Sequence, residues 1–331
     1  MSTAVKTIMS NVNPANSILT PANRWDHFLA RWRYRRSKHR VEPGLYFLGK
    51  PTAESPVFVT ANYTLSFDAL RSSLKGIDGY ILALNTEGVN VWCAAGKGTF
   101  GTDELVNRIE KSQLKEIVRQ HTVILPQLGA PGIVAHEVKK RTGFKVEYGP
   151  VRAKDLPEYL KNHEATPEMR QVRFNLSDRL PLIPVDFIGT LPVMIVLAAA
   201  LYFLTGGIWT SLTAAAAILA GIVILPILLP WLPTRDFSVK GFILGAVVAL
   251  ALFLIKASIR ETDIFTFRQA GNALGSILVW SPVTAFLSLN FTGATTYTSR
   301  SGVRREMNKY IQIMAASLIG GVILSIVLAV I

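Results

Sequence analysis

The chain has 331 residues, half of them hydrophobic, one cysteine and a formal net charge of +13. A single cysteine excludes an internal disulfide and any four-cysteine iron–sulfur cluster held by this chain alone. Composition changes after Val185: Lys and Arg outnumber Asp and Glu by 26 to 17 up to that residue and by 9 to 5 beyond it, where long apolar runs begin. Beside membrane spans, such a basic excess fits an anionic leaflet better than nucleic acid, which is not expected as a partner.

Met1 to Ile18 lacks a basic head followed by an apolar core, so no cleavable secretory signal is expected and the first domain should stay in the cytoplasm. Residues 1–40 read as an irregular basic arm ending in Arg31-Trp32-Arg33-Tyr34-Arg35-Arg36-Ser37-Lys38-His39-Arg40. There basic side chains alternate with two aromatics, which suits a solvated arm or contact with a leaflet or partner.

Residues 41–161 alternate short apolar or β-branched runs with helical periodicity. Strands are expected at Val57–Thr60, Tyr80–Leu84, Thr122–Leu125 and Phe144–Tyr148, and helices at Phe67–Leu74, Asp103–Leu114 and Ile133–Arg141, the last stopped by Gly143. This alternation predicts an α/β domain with a Rossmann-like, open, largely parallel sheet. Ligands of such sheets bind at the carboxyl ends of the strands, here the loops Ala61–Ser66, Asn85–Gly98, Gln127–Gly132 and Gly149–Lys154. Residues 162–185 read as a linker.

Residues 186–331 read as an all-α transmembrane domain. Five stretches approach the length of about 20 residues that crosses a bilayer: 187–204, 208–232, 241–255, 274–291 and 310–331. Thr205-Gly206-Gly207 joins the first two, and the third is short, with Lys256 snorkelling at its end. With the N-terminal domain inside, inner loops hold Arg235, Lys240, Arg300, Arg304, Arg305 and Lys309, whereas outer loops hold Lys256, Arg260 and Arg268. That bias predicts a multi-pass protein of the inner (cytoplasmic) membrane with its soluble domain in the cytoplasm. No span carries an acidic residue in its middle, as a proton relay would require, so the region reads as an anchor or assembly surface.

Chemistry concentrates in Asn90-Val91-Trp92-Cys93-Ala94-Ala95-Gly96-Lys97-Gly98-Thr99-Phe100-Gly101-Thr102. A thiol here lies at a strand-to-helix turn, where backbone amides, the helix dipole and Lys97 favour thiolate. Ala94, Ala95 and Gly96 are small enough for a bulky flat ligand to approach the backbone. A thiol packed beside Trp92 and a reactive cysteine of an oxidoreductase are the competing readings. Position in a ligand-edge loop favours a functional thiol without specifying the ligand.

The string from Asn90 to Lys97 resembles the signature of the HgcA family, the corrinoid proteins of microbial mercury methylation, and the domain order resembles that family too. The loop through Thr102 is similar to that of the corrinoid iron–sulfur protein of the acetyl-CoA pathway. The latter carries cluster cysteines that are absent here and generally lacks a cysteine at this loop position. The resemblance implies a cobalamin-type corrinoid bound with its base off, Cys93 ligating cobalt on the lower face. It further implies that Asn90 and Trp92 brace the cap loop, with Val91, Ala94, Ala95 and Gly96 part of the cofactor site. Thr60, Thr64, Gly129, Ala130, Pro131, Val151 and Ala153, on the other loops of that edge, are placed as corrin contacts by geometry alone. The histidine motif of ordinary cobalamin modules, Asp-x-His-x-x-Gly, does not occur. Asp26-His27 lacks its spacing, and His39, His121, His136 and His163 read as surface or helix-packing residues.

The implied activity is a corrinoid-dependent methyltransferase that passes methyl from methylcobalt to Hg(II), giving methylmercury, with Cys93 as its catalytic residue. An electrophile such as Hg(II) needs methyl as a carbanion equivalent or a radical, and a trans thiolate stabilises the Co(III) left by carbanion departure. Reduction toward Co(I) then needs a partner, by resemblance an HgcB-type ferredoxin with two four-iron clusters that also presents mercury, and a methyltetrahydrofolate-linked methyl donor. Arg31–Arg40 or Arg300–Lys309 would dock an acidic ferredoxin. The alternative is a membrane-anchored methylcorrinoid carrier of one-carbon metabolism, or ion-coupled methyl transfer. Cys93 favours the enzyme, and the lack of acidic residues in the middle of the spans disfavours ion coupling.

Overall fold

The computed structural model describes residues 12–205, 207–262, 264, 266–291 and 300–330. Of the sequence expectations, those on Met1–Asn11, Gly206 and Ile331, and on the Arg300 side chain, lie outside the described residues. The chain divides into two compact units, Met1–Arg173 and Phe174–Ile331.

The first unit is an α/β domain around a six-stranded sheet. Its strands are β1 (Asn13–Ala15), β2 (Gly44–Leu48), β3 (Val57–Ala61), β4 (Gly79–Leu84), β5 (Thr122–Leu125) and β6 (Lys145–Tyr148), in the order β1-β2-β4-β3-β5-β6. The four expected strands form its parallel centre. β2 joins that centre antiparallel to β4 and pairs parallel with β1 at the edge. All five residues of β3 are buried, which explains its unbroken Val-Phe-Val-Thr-Ala run: both faces of a central parallel strand are covered.

The two-residue period divides the core. Val57, Val59, Leu82, Leu84, Val123 and Leu125 face one layer, which includes helices α3 (Val91–Lys97), α4 (Thr102–Lys111) and α6 (Ala135–Thr142). Phe58, Ile81, Ala83 and Ile124 face the other, where α2 (Thr64–Ser73) contributes Phe67 and Leu70, and α7 (Leu156–Asn162) contributes Leu156 and Tyr159. Between α4 and β5 lies the short α5 (Leu114–Ile117). Gly143, at φ +80°, ends α6 in the left-handed conformation that glycine adopts without a Cβ clash.

Residues 12–40 are ordered elements rather than an irregular arm. After β1, Thr20 and Asn23 form a reciprocal cap on α1 (Pro21–Arg31). His27 Nε2 lies 2.8 Å from Asp68 Oδ2, and Asp68 Oδ1 accepts the Arg71 Nε–H at 2.6 Å. Arg71 Nη1 reaches the Asn16 and Ile18 carbonyls, so one buried carboxylate ties α1 and the preceding segment to α2. Burial alone would raise the Asp68 pKa, but the hydrogen bonds and charges of His27 and Arg71 outweigh it and hold the carboxyl below its ordinary value.

The second unit contains five helices long and apolar enough to cross a membrane. After α8 (Leu176–Arg179) come α9 (Ile183–Thr205), α10 (Ile208–Leu219) continuing through a π turn at Ala220–Ile224 into α11 (Leu225–Leu228), α12 (Phe237–Ile259), α13 (Phe267–Phe291) and α14 (Arg300–Val330). The third is 23 residues long rather than short, because backbone bonding runs past the apolar run to Phe237 and Ile259. Pro226, which lacks an N–H, follows the π turn by two residues. Arg179 Nη1 donates to the Pro226 and Ile227 carbonyls and Lys240 Nζ to that of Leu229, so two buried cations satisfy the carbonyls released at the end of α11. A Cβ on Gly241 would lie 2.5 Å from Ala285 Cα and one on Gly245 2.7 Å from Ser281 Cα: a small-xxx-small pair lets α12 and α13 touch backbone to backbone. Glu306, in the first third of α14, is buried and accepts the Ser238 N–H at 2.5 Å.

Candidate functional site

Strands β3, β4, β5 and β6 point their carboxyl ends to one edge, and the loops there are tied together by Asn62, which is 1% exposed. Its Oδ1 accepts the Thr86 N–H at 3.0 Å and the Gly88 N–H at 3.2 Å, and lies 3.0 Å from the Thr86 hydroxyl. Its Nδ2 donates to the Val41 carbonyl at 3.2 Å. One amide thus closes the loops after β3 and β4 and the segment entering β2. The Asn85 N–H donates to Glu104 Oε1 at 2.7 Å, fastening the same loop to α4.

Beyond that staple the expected loop folds into a helix, α3. Asn90 is its N-cap, in the extended conformation, and its Oδ1 accepts the Cys93 N–H at 2.9 Å. Val91, Ala94 and Ala95 are buried in the core, while Trp92, Cys93 and Gly96 are half-buried. Lys97 is exposed, one turn after the thiol. Gly98, at φ +88°, ends the helix. Cys93 takes no part in a disulfide.

The cap helix sits on the 3-10 turn Gln127–Gly132. A Cβ on Gly132 would collide with the Phe100 carbonyl and lie 3.1 Å from Ala95 Cα, and one on Gly129 would lie 2.5 Å from Phe100 Cε1. Only glycines allow this approach. Gly129 is buried beneath Phe100, whereas Ala130 is half-buried and Pro131 exposed on the same turn. Thr102 Oγ1 accepts the Val134 N–H at 2.8 Å, and Tyr148 O–H donates to the Ile133 carbonyl at 2.9 Å, fixing the end of this turn.

The remaining expected positions have other surroundings. Thr60 is buried within β3, on the face of Phe58. The Thr64 hydroxyl donates to Asp26 Oδ2 at 2.7 Å. Val151 is half-buried, its N–H bonded to the Met169 carbonyl, and Ala153 packs with the core layer of Phe58 and Phe67.

Sequence reasoning missed Asn62, Tyr63, Asp26 and the placement of His39. His39 is buried, with Nδ1 2.7 Å from Asp26 Oδ1 and Nε2 2.6 Å from the Tyr34 carbonyl. Tyr63, half-buried at the end of β3, has its phenol pKa raised, chiefly by burial. Arg36 and Arg31 pull it down, and Asp26 and Cys93 push it up, so Tyr63 stands within electrostatic reach of both the basic segment and the thiol. Asn62 and Tyr63 fell within a loop already expected at this edge, and a polar residue directly after an all-buried strand was their available signal.

The cap helix carries a soft donor, the half-buried Cys93 thiol, next in sequence to the small residues Ala94, Ala95 and Gly96. Among the described residues no three His, Cys, Asp or Glu side chains gather as a metal-ligand set. Thr99 Oγ1, just past the cap helix, is shielded and has no hydrogen-bond partner among the described residues.

Residues 32–160 match the family model described as CO dehydrogenase/acetyl-CoA synthase delta subunit. Acetyl-CoA decarbonylase/synthase complex subunit gamma 2 of Methanosarcina mazei is 34% identical over 132 residues, 39% of this chain and 28% of its own length. The gamma subunit of Archaeoglobus fulgidus is 32% identical over 130 residues, 39% of this chain and 27% of its own. The corrinoid/iron-sulfur protein large subunit of Moorella thermoacetica is 28% identical over 129 residues, 38% of this chain and 28% of its own. The chain therefore spans little more than a quarter of the length of these relatives. The matched region ends before the five apolar helices begin, and it contains the cap helix and its supporting loops.

Proposed function

We propose that the chain is a membrane-anchored, corrinoid-dependent methyltransferase that passes a methyl group from its corrinoid to Hg(II), and that the Cys93 thiolate would hold the cobalt of that corrinoid. The observation that carries this reading is Cys93 on a capped helix at the carboxyl edge of a domain similar to a corrinoid/iron-sulfur protein subunit. A bound corrinoid would supply a cobalt centre able to carry methyl, and the Cys93 sulfur would hold that cobalt from the protein side. The protein's part is to hold and orient. Asn90 fixes the backbone that carries the thiol, Ala94 and Ala95 leave the helix low, Gly129 and Gly132 seat it, and Thr99 Oγ1 offers an unused hydrogen-bonding group. Ala130 and Pro131 on the neighbouring turn are further contacts in this reading.

Repeated turnover needs electrons that one cysteine cannot store, so the partner is a low-potential ferredoxin of the HgcB type with two four-iron clusters, and the methyl donor is methyltetrahydrofolate-linked. Arg304, Arg305 and Lys309 are exposed near the start of α14 and supply the positive charge that an acidic ferredoxin needs. In this reading the first unit lies on the cytoplasmic side of the inner membrane. The relatives named as subunits of acetyl-CoA decarbonylase/synthase complexes favour the second reading, a methylcorrinoid carrier for one-carbon metabolism.

The purified full chain, loaded with methylated corrinoid and given Hg(II), should form at most one methylmercury per corrinoid. Adding a two-cluster ferredoxin, a low-potential reductant and methyltetrahydrofolate with its methyltransferase should give many. Methyl transfer that spares Hg(II) under all these conditions would replace the enzyme by the carrier.

A further inference from the structure

The outward side of residues 18–40 presents a surface that the corrinoid chemistry does not use. Trp25, Phe28, Trp32 and Tyr34 are 61%, 46%, 39% and 52% exposed, and Ile18 just before them is exposed as well. The spacing of Trp25, Phe28 and Trp32 places them along one stripe of α1 and its continuation. Trp25 stacks on Phe28 with centroids 5.2 Å apart, and Phe28 lies 5.7 Å from Trp32, so the stripe is pre-assembled. Around it Arg24, Arg31, Arg33, Arg35, Arg36, Lys38 and Arg40 are all exposed. The one acidic residue of the segment, Asp26, is engaged by His39 and Thr64, which leaves the outer side with no carboxylate of its own.

This surface is also tied to the rest of the domain. His27, Asp68 and Arg71 bolt α1 to α2, and His39 holds the Tyr34 carbonyl. Arg33 and Arg35 sit at φ +59° and +45°, conformations that cost a non-glycine residue energy and persist only where the surroundings enforce them. The Arg35 guanidinium lies over the Tyr34 ring, 5.3 Å from its centroid.

We propose that α1 and the Trp32–Arg40 turn form an interfacial anchor that lays its aromatic stripe into the headgroup layer of an anionic bilayer. A helix with Trp and Phe on one side and arginines around them is the pattern that lies in the membrane interface plane. A bilayer is always at hand, because five helices of the same chain are long and apolar enough to cross one. An acidic protein would meet the same charge, yet it has no comparable use for a straight aromatic stripe without a cleft. The anchor does not depend on the nature of the methyl acceptor.

The full chain in lipid nanodiscs tests it, with the fluorescence difference between the wild type and Trp25→Phe/Trp32→Phe isolating these two indoles. In discs containing phosphatidylglycerol with brominated acyl chains that difference signal should be strongly quenched. Quenching should weaken in phosphatidylcholine discs, at high salt, and after replacing Arg31, Arg33, Arg35 and Arg36 with Gln. Hydrogen exchange of β3 and β4 amides, unchanged in each variant, shows that the fold is kept. A difference signal indifferent to bromine in the anionic discs overturns the proposal. So does a signal that responds only when an acidic ferredoxin is added, which would assign the surface to a protein partner.

Discussion

Asn90 Oδ1 accepts the Cys93 N–H at 2.9 Å, so the residue that starts the seven-residue cap helix also positions the residue that carries the thiol. A helix this short has little cooperativity of its own and depends on its cap. Asn90→Ala should cost the helix about 0.5–2 kcal/mol and weaken corrinoid binding by about two- to thirtyfold, whereas Asn90→Asp keeps the acceptor and most of the affinity. Corrinoid titration followed by absorbance measures this. Equal affinities for wild type and Asn90→Ala would show that the cap does not support the site.

The His27–Asp68–Arg71 cluster gives the first unit an acid-sensitive joint. Asp68 has a lowered folded-state pKa, so its stabilisation is complete above its ordinary value of 3.8 and is lost as pH falls below that through the folded value. Asp68→Asn leaves Arg71 buried without its carboxylate and should cost about 3–5 kcal/mol at neutral pH. Urea unfolding of the full chain in detergent, followed by hydrogen exchange in α1 and α2 across this pH range, should show the wild type losing protection in acid. The variant should be weaker at neutral pH and flatter in its response. An acid profile unchanged by the substitution would remove Asp68 from the joint.

Within the second unit, a Cβ on Gly245 would meet Ser281 Cα at 2.7 Å and Thr284 Cβ at 2.8 Å, atoms that cannot swing aside. Gly245→Val should separate α12 from α13 at a cost of about 1–3 kcal/mol, read as a lower midpoint of unfolding in a denaturing-detergent titration. Gly320→Val is the control, since a Cβ there meets nothing within 4 Å.

The proposed topology, with the first unit inside, rests on the excess of Lys and Arg in the loops it places on that side. A reporter fused after Thr205 should read outside and one after Arg304 inside. The reverse pair of signals would place the first unit on the opposite side.

The parallel centre of the sheet was legible because β3 to β6 are short β-branched or apolar runs separated by helical periodicity. β1 and β2 were not, because Gly44-Leu45-Tyr46-Phe47-Leu48 lacks a polar alternation and finds its place only by pairing with β4. The capped helix escaped notice because its seven residues span two turns, too few for a period to show, although Asn90 before Val91 is an ordinary N-cap signal. Contacts such as His27 with Asp68 join residues 41 apart, and no local pattern announces them. The apolar helices were visible as composition. Their ends were not, since these two helices begin ahead of the apolar runs, at Phe237 and Phe267, and take in Lys240 and Arg268.

The central claim is that the Cys93 sulfur ligates cobalt, and the absorption spectrum of the corrinoid-loaded full chain tests it most directly. The wild type should show base-off corrinoid with sulfur-ligated cobalt, and Cys93→Ala should lose that signature and its methyl transfer. Cys93→His should bind cobalt through a weaker, neutral donor without restoring transfer. A spectrum of Cys93→Ala indistinguishable from that of the wild type would contradict the account.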